Sequence, residues 1–304
     1  MGPQSDSPDK KGARRPAVLM WIALIAIGVC WAATSPLSKV SVSTGYHPVP
    51  LTLWNTIISV IVLTPLLYLK KGRLPLDRRH VLFFLGCGLL GTAFPNSLSY
   101  EAYRHLPIGV ISIVYASIPM TTLVVALLLR MERIDLRRLG GLALGGGAVA
   151  LIAIPEASLP DPEQAIWVLV PVMVAISYAA ENIYMAKARP EGCDALTVLT
   201  GLSWGALFLL IPTLLVTGED FLPKEASLVE GAVVANTGLH LLAYFGFIWL
   251  IGHAGPVFAS QVGYVVTGMG VLFGMIFFGE SHSLWVWAAL ALMLGGVSLV
   301  KPRF

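Results

Sequence analysis

Nine stretches of this chain hold no Asp, Glu, Lys or Arg: 16–38, 40–69, 80–100, 105–129, 139–155, 164–180, 195–218, 231–279 and 281–300. A helix that crosses the hydrocarbon core of a bilayer needs about 20 mostly apolar residues. The run at 231–279 is long enough for two crossings with a tight turn at His253–Gly255. The spans expected are therefore ten: roughly 18–42, 49–69, 80–103, 106–130, 137–155, 165–188, 195–216, 230–252, 255–279 and 283–301. Only 12% of the chain is charged, about half the share of a soluble domain. That is too little to solvate a globule in water. Disorder is excluded too, because 56% of the residues are hydrophobic.

The loops carry the orientation. Lys10, Lys11, Arg14 and Arg15 precede the first span. With the N-terminus inside the cell and ten alternating crossings, seventeen of the twenty basic residues fall on the cytoplasmic side. Only Lys39, Arg104 and Lys224 fall toward the other side, and the outer loops at 156–163 and 217–230 are acidic. Cytoplasmic loops are enriched in Lys and Arg, so the pattern predicts a multi-pass membrane protein with both termini cytoplasmic; a bacterial-type inner membrane is the expected location. Residues 1–15 are polar and expected to be disordered. Cys30 and Cys87 lie within spans and Cys193 in a cytoplasmic loop, without a disulfide or metal-type spacing.

The chain also repeats itself. A shift of 148 residues carries Lys39 onto Lys187, His105 onto His253, Ser112 onto Ser260, Glu132 onto Glu280 and Gly147 onto Gly295. A shift of 147 carries Trp31 onto Tyr178 and Pro65 onto Pro212. Half of ten is five, and an odd number of crossings inverts the second copy. The fold class expected is all-α integral membrane, ten transmembrane helices as two inverted five-helix repeats. The first repeat spans 16–155, an outer linker 156–164, and the second repeat 165–304. Inverted repeats mark many secondary transporters, because exchanging the conformations of the halves turns an inward-open protein outward-open.

The stretch LPIGVISIVYASIPMTTLVVALLLRMERIDLRRLGGLALGGGAVALI at 106–152 resembles the EamA-type repeat of the drug/metabolite transporter superfamily. Its marks are a small-residue helix with Ser112, Ala116, Ser117 and Pro119, a turn at Glu132, and a Gly-rich helix. A weaker copy at 254–300 keeps Pro256, Ser260, Glu280 and Gly295–Gly296, with Thr267 where Pro119 has its mate. Within the superfamily the chain is most similar to the bacterial aromatic amino-acid exporters called YddG. The resemblance implies a ten-helix basket around a central cavity and export of amino acids or related metabolites.

Polar side chains inside spans are costly against lipid and should face a cavity or another helix. Asn236, His240 and Tyr244 recur every four residues on one stripe. Asn96, Tyr100 and Tyr103 form a second stripe, and Ser112, Tyr115, Pro119 and Thr122 a third. Trp31, Ser35 and Ser38, then Tyr178, Glu181 and Asn182, then Gln261 and Tyr264 add further candidates. Of these, the expected substrate-binding residues are Trp31, Asn96, Tyr100, Tyr115, Tyr178, Glu181, Asn182, Asn236, His240, Tyr244, Gln261 and Tyr264. Aromatic rings mixed with neutral hydrogen-bonding groups suit a mid-sized zwitterion with an apolar body. For Glu181 two readings stand: a functional carboxylate, or an inner-face residue paired with Lys187. Lys39 and Lys187 each end the first helix of a half and are gate candidates or simple anchors. Pro65, Pro119 and Pro212 are hinge candidates because proline frees a backbone carbonyl.

Other functions are weighed against this one. Gly201–Gly205 matches G-x-S-x-G, a hydrolase motif that requires a strand–turn–helix context. Here it lies on a helix, so no enzyme is expected. An intramembrane enzyme and a non-transporting scaffold remain the alternatives. There is no Walker motif and hence no sign of an ATPase partner. No cofactor, metal or nucleic acid is expected; the partners are a small-molecule substrate and the bilayer.

Overall fold

The computed structural model describes residues 10–43, 45–71, 73–131, 136–153, 162–221, 228–259 and 262–299. The described residues form helices joined by short connections, without strands. The order is α1 (Lys10–Val42), α2 (Pro48–Lys71), α3 (Arg78–Gly88), a π-helical turn (Leu89–Ala93), α4 (Phe94–His105), α5 (Ile108–Tyr115), α6 (Ile118–Leu128) and α7 (Leu136–Ala153). A 3-10 segment (Pro162–Val168) then leads into α8 (Leu169–Ala188), followed by α9 (Ala195–Thr217), α10 (Leu228–Ala259), α11 (Val262–Phe278) and α12 (Leu284–Leu299).

Seven helical stretches are long and apolar enough to cross a membrane: Val18–Val42, Pro48–Lys70, Arg78–His105, Ile108–Leu128, Glu163–Ala188, Ala195–Thr217 and Leu228–Leu250. Three shorter apolar helices accompany them, at Leu139–Ile152, Val262–Phe278 and Leu284–Gly296. This is a multi-pass membrane protein. Its outward faces carry large apolar side chains such as Ile61, Leu215, Val216 and Ile276, which lipid solvates as well as a protein core would.

Local chemistry sets the helix ends. Asp194 caps α9 by accepting the backbone N–H of Thr197 at 2.9 Å, satisfying one donor the first turn cannot. Gly218 ends the same helix with φ of 66°, and its N–H returns to the Leu214 carbonyl. Only glycine takes that left-handed conformation without a side-chain penalty. Span four is broken: α5 stops at Tyr115 and α6 starts at Ile118. Pro119 has no N–H to give the Tyr115 carbonyl, so the ladder lapses there.

Two expectations are corrected. No turn occurs at His253–Gly255; α10 runs unbroken to Ala259. His253 Nδ1 lies 2.8 Å from the Trp249 carbonyl, and its ring stacks on Trp249 at 4.3 Å. Local contacts thus continue the helix past the glycines, and α11 begins only at Val262. Of residues 1–15, expected to be disordered, residues 10–15 are instead helical, because α1 begins at Lys10. Lys and Arg are good helix formers and extend the span that follows. Residues 1–9 and most of the expected linker 156–164 lie outside the described residues.

Glycines permit the closest crossings. A Cβ on Gly205 would enter the Phe84 carbonyl, and one on Gly88 would meet the Ala206 nitrogen, so α3 and α9 touch backbone to backbone. A Cβ on Gly296 would lie 2.8 Å from the Gly141 carbonyl, which seats α12 on α7. Elsewhere α1 packs on α10 and α11, α2 on α9, and α8 on α4 and α6.

Candidate substrate cavity and outer gate

Helical phase picks out polar residues that are accessible on inward-turned faces. On α10 the exposed Val234, Leu242 and Trp249 mark the lipid face. His240 is also exposed, yet at about 100° per residue it points roughly opposite to them. On α8 the lipid face carries Leu169, Met173 and Ile176, and the exposed Asn182 again points away from it. Two polar residues within spans are therefore accessible on faces turned into the protein.

Around them the expected site residues form two groups. In the first, Trp31 Nε1–H donates to His240 Nδ1 at 3.3 Å. The Trp31 ring also meets Tyr244 edge-on at 6.0 Å and Phe247 at 5.3 Å. Indole N–H is only a donor, so His240 Nδ1 accepts and the imidazole is neutral with its proton on Nε2. In the second, Tyr178 donates to Asn96 Oδ1 at 2.8 Å, Tyr115 to Ser99 at 2.6 Å, and Asn182 Nδ2 approaches Thr122 Oγ1 at 3.4 Å. Glu181 is buried at 9% exposure. Its carboxylate lies against Gly91 of the π-helical turn, where any Cβ would collide with it. It has no hydrogen bond or ion pair among the described residues, Lys187 included.

Other expected residues stand apart. Tyr100 is buried beneath the Lys39 end of the bundle and accepts from Asn55 Nδ2 at 2.5 Å, while Thr237 donates to the same Asn55. Tyr103 donates to Ser35 at 3.0 Å. Asn236 holds α10 to α1 through the Thr34 carbonyl and Ser38 Oγ, at 3.1 and 2.7 Å. Tyr264 lines an apolar cleft of about 370 Å³ between α11 and α12, with Met269 and Trp287. Gln261 lies outside the described residues. Pro65 and Pro212 sit within unbroken helices at exposed positions. Ser203 of the G-x-S-x-G run is buried and donates to the Leu199 carbonyl, away from His240.

Lys39 belongs to a closed junction. Its Nζ lies 2.9 Å from Glu280 Oε1 and 3.2 Å from the Leu106 carbonyl, and 5.2 Å from the centre of the Phe278 ring. Glu280 also accepts the first backbone N–H groups of α5, from Ile108 at 2.7 Å and Gly109 at 3.1 Å. A carboxylate at a helix N-terminus satisfies open donors and meets the positive end of the dipole. Gly274 and Gly109 leave room for it, since a Cβ on Gly274 would strike the carboxylate and one on Gly109 the His282 ring. Burial pushes the His282 imidazole below its ordinary value; Glu280 opposes this and Lys39 adds to it. Sequence reasoning used Glu280 only to align the repeats. It is the one charged residue in 231–300, and that isolation was the available signal.

Below this junction the two helices part. α5 packs along α11, with Gly270 against Ser112, whereas α6 packs on α8. Gly263, on the same face of α11 as Gly270 but nearer its other end, faces open space. The interior is thus sealed at the Lys39 end and loosened toward the other.

Apolar helices around a polar and aromatic interior, sealed at one end, make the frame of a membrane transporter. Comparison with known proteins agrees: residues 18–154 match the EamA-like transporter family. The Escherichia coli protein described as the uncharacterized inner membrane transporter YedA is 25% identical over 289 residues, covering 91% of this chain and 89% of its own. The uncharacterized transporter YvbV of Bacillus subtilis is 25% identical over 294 residues, covering 95% and 92%. A WAT1-related protein of Arabidopsis thaliana is 22% identical over 294 residues, covering 85% and 78%. A solved crystal structure shares the fold, with a TM-score of 0.57 and 17% identity over 96% of this chain and 99% of its own. These matches show similarity to the EamA-like transporter family over residues 18–154 and to membrane transporters along most of the chain. They go no further toward the YddG exporters, because the relatives' names state no substrate.

Proposed function

We propose that this chain is a secondary transporter that exports amino acids, aromatic or other large neutral ones, or related small metabolites, from the cytoplasm by alternating access. In this reading ten helices cross the membrane as two inverted repeats, 16–155 and 165–304, with both termini cytoplasmic and the Lys39 junction outside. The observation that carries the reading is the pair of accessible polar residues, His240 and Asn182, on inward faces beneath a closed junction.

The pairing of helices supports the repeat. Exchanging the halves maps α1 on α10 and α11 into α8 on the third and fourth spans, and both sets are packed. It maps α2–α9 and α7–α12 onto themselves, and both pairs are packed. The α5–α11 contact breaks the symmetry, since it is tight at one end only. Such an arrangement is inward-facing. To face outward, α5 must leave α11, with the break at Ala116–Ser117 as the place to bend. A substrate drives this only by its difference in affinity for the two states.

The test is flux in liposomes carrying the purified chain. Labelled tryptophan or phenylalanine should equilibrate faster than in empty vesicles. No flux with any amino acid or small metabolite overturns the proposal.

A further inference from the structure

The interior carries a carboxyl group that no described side chain pairs. Among the described residues Glu181 is the carboxylate held at mid-depth without a partner. Its place is built. Ser177, one turn earlier on α8, donates to the Leu90 carbonyl at 2.7 Å and ties the π-helical turn to α8. Gly91 in that turn leaves the space the carboxylate fills. Tyr178 and Tyr244 lie within electrostatic reach of it. π-helical turns inside α-helices occur often at functional sites.

No cation answers it. Lys39 is committed to Glu280 at the outer junction. Lys187 ends α8 and is exposed. Arg189 donates to the Cys193 carbonyl. His240, the remaining basic group of the cavity, is neutral by its bond from Trp31. A zwitterion placed here pairs its ammonium group with Glu181 and leaves its own carboxylate among Trp and Tyr rings. An unpaired charge away from water is costly. An amine without a carboxylate meets no such cost. Its ammonium group makes a charge-assisted hydrogen bond to Glu181. Its charge and ring are then served by Tyr178, Tyr244 and Trp31, since aromatic faces attract cations.

We propose that Glu181 is the ammonium-binding group of this cavity, and that the favoured substrates are singly charged aromatic or apolar amines rather than zwitterionic amino acids. The proposal rests on the transport reading above and moves its substrate class from amino acids to the related amines.

The test measures binding of labelled tryptamine, tryptophan, indole-3-propionate and the neutral indole-3-ethanol to the purified full chain, with flux in liposomes alongside. Tryptamine should bind about tenfold or more tighter than tryptophan, the worth of roughly 1.4 kcal/mol, and indole-3-propionate should be weakest. Glu181→Gln should weaken tryptamine about tenfold or more and leave indole-3-ethanol unchanged; Glu181→Asp should restore part of the loss. Tryptophan binding as tightly as tryptamine, or tryptamine binding unchanged in Glu181→Gln, overturns the amine assignment and leaves transport standing. No flux of amines, amino acids or neutral analogues overturns both. If Glu181→Gln fails to fold, the wild-type series decides alone.

Discussion

Replacing Glu280 with Gln keeps the side chain's shape and removes its charge. In the closed junction the carboxylate accepts from Ile108 N–H at 2.7 Å, Gly109 N–H at 3.1 Å and Lys39 Nζ at 2.9 Å. A Gln carbonyl can keep the Ile108 bond, but its NH2 group cannot accept from Gly109. Hydrogen bonds to charged groups contribute about 1.5–3 kcal/mol, against about 1 kcal/mol for neutral ones. An anion at a helix start adds about 0.3–1 kcal/mol. The Lys39 side chain is 23% exposed, so its ion pair adds at most about 1 kcal/mol. When the junction opens, water solvates Glu280 and Lys39, so most of the loss falls on the closed state. A net shift of about 2–3 kcal/mol raises the open fraction roughly 30- to 140-fold. The assay places a cysteine at Ser35, buried beneath the junction under Tyr103, after Cys30, Cys87 and Cys193 are replaced. An impermeant maleimide added from the Lys39 side should label Glu280→Gln faster by about that factor while opening outpaces labelling. Glu101→Gln, which loses only the nearby Arg104 and His105 pairs, should label as the parent does. A Glu280→Gln rate within twofold of the parent refutes Glu280 as the lock.

Further outcomes follow from the same geometry. Gly91→Ala drives a methyl group into the Glu181 carboxylate; it should cost about 1–3 kcal/mol in stability, seen as a lower Tm, and reduce substrate binding. Trp31→Phe removes the donor to His240 and should weaken substrate binding about fivefold, for a bond worth about 1 kcal/mol, with folding unchanged by thermal shift. Gly205→Val meets the Phe84 backbone, which cannot give way as a side chain can. Thermal unfolding and expression should both fall sharply. The His282 imidazole is held below its ordinary value of 6.5, chiefly by burial. A depressed base stabilises the closed junction above about pH 6.5 and loses that contribution as pH falls through the depressed value. Acidifying the Lys39 side should therefore speed Ser35→Cys labelling. His47 and His105 stand at the same end of the bundle, so the effect assigned to His282 is the part that His282→Asn removes.

Hydropathy made most spans legible, because lipid selects composition over long runs and leaves little room for error. It misplaced the turn between α10 and α11, since a 49-residue uncharged run carries no polar mark of where helix gives way to turn. Helical spacing singled out Asn236, His240 and Tyr244 as one stripe, and all three do face α1. It did not separate Asn236, which is spent on Thr34 and Ser38, from His240, which faces the cavity. That distinction depends on the partner helix, which one stripe does not encode. The same limit hid the Tyr100–Asn55–Thr237 chain, whose members come from three helices. The π-helical turn at Leu89–Ala93 has no short-range signature beyond Gly91. Its reason is tertiary: it accommodates Glu181 from a helix about 90 residues away.

On the proposed two-repeat reading, the two lysines at equivalent positions account for how the protein holds one state. Lys39 is engaged by Glu280, the Leu106 carbonyl and the Phe278 face. Its mate Lys187 is exposed, without an ion pair among the described residues. The mate of Glu280 is Glu132, which lies outside them. Were both ends built alike, symmetry would make inward- and outward-facing states equal in energy. They are not built alike. Glu280 caps Ile108 and Gly109, both of which donate, whereas the mate of Ile108 is Pro256, which has no N–H. On the proposed reading, an inner junction mirroring the outer one would begin a helix at Pro256, a position that α10 runs through in this state, and would have one fewer backbone donor to form a charge-assisted hydrogen bond with its carboxylate. At about 1.5–3 kcal/mol for such a bond, the resting population leans toward the state with the outer junction closed. Replacing Pro256 with Ile restores the missing donor and should narrow that bias, seen as faster Ser35→Cys labelling from the Lys39 side. An unchanged rate in Pro256→Ile, with the fold intact, would refute the cap asymmetry as the source of the bias.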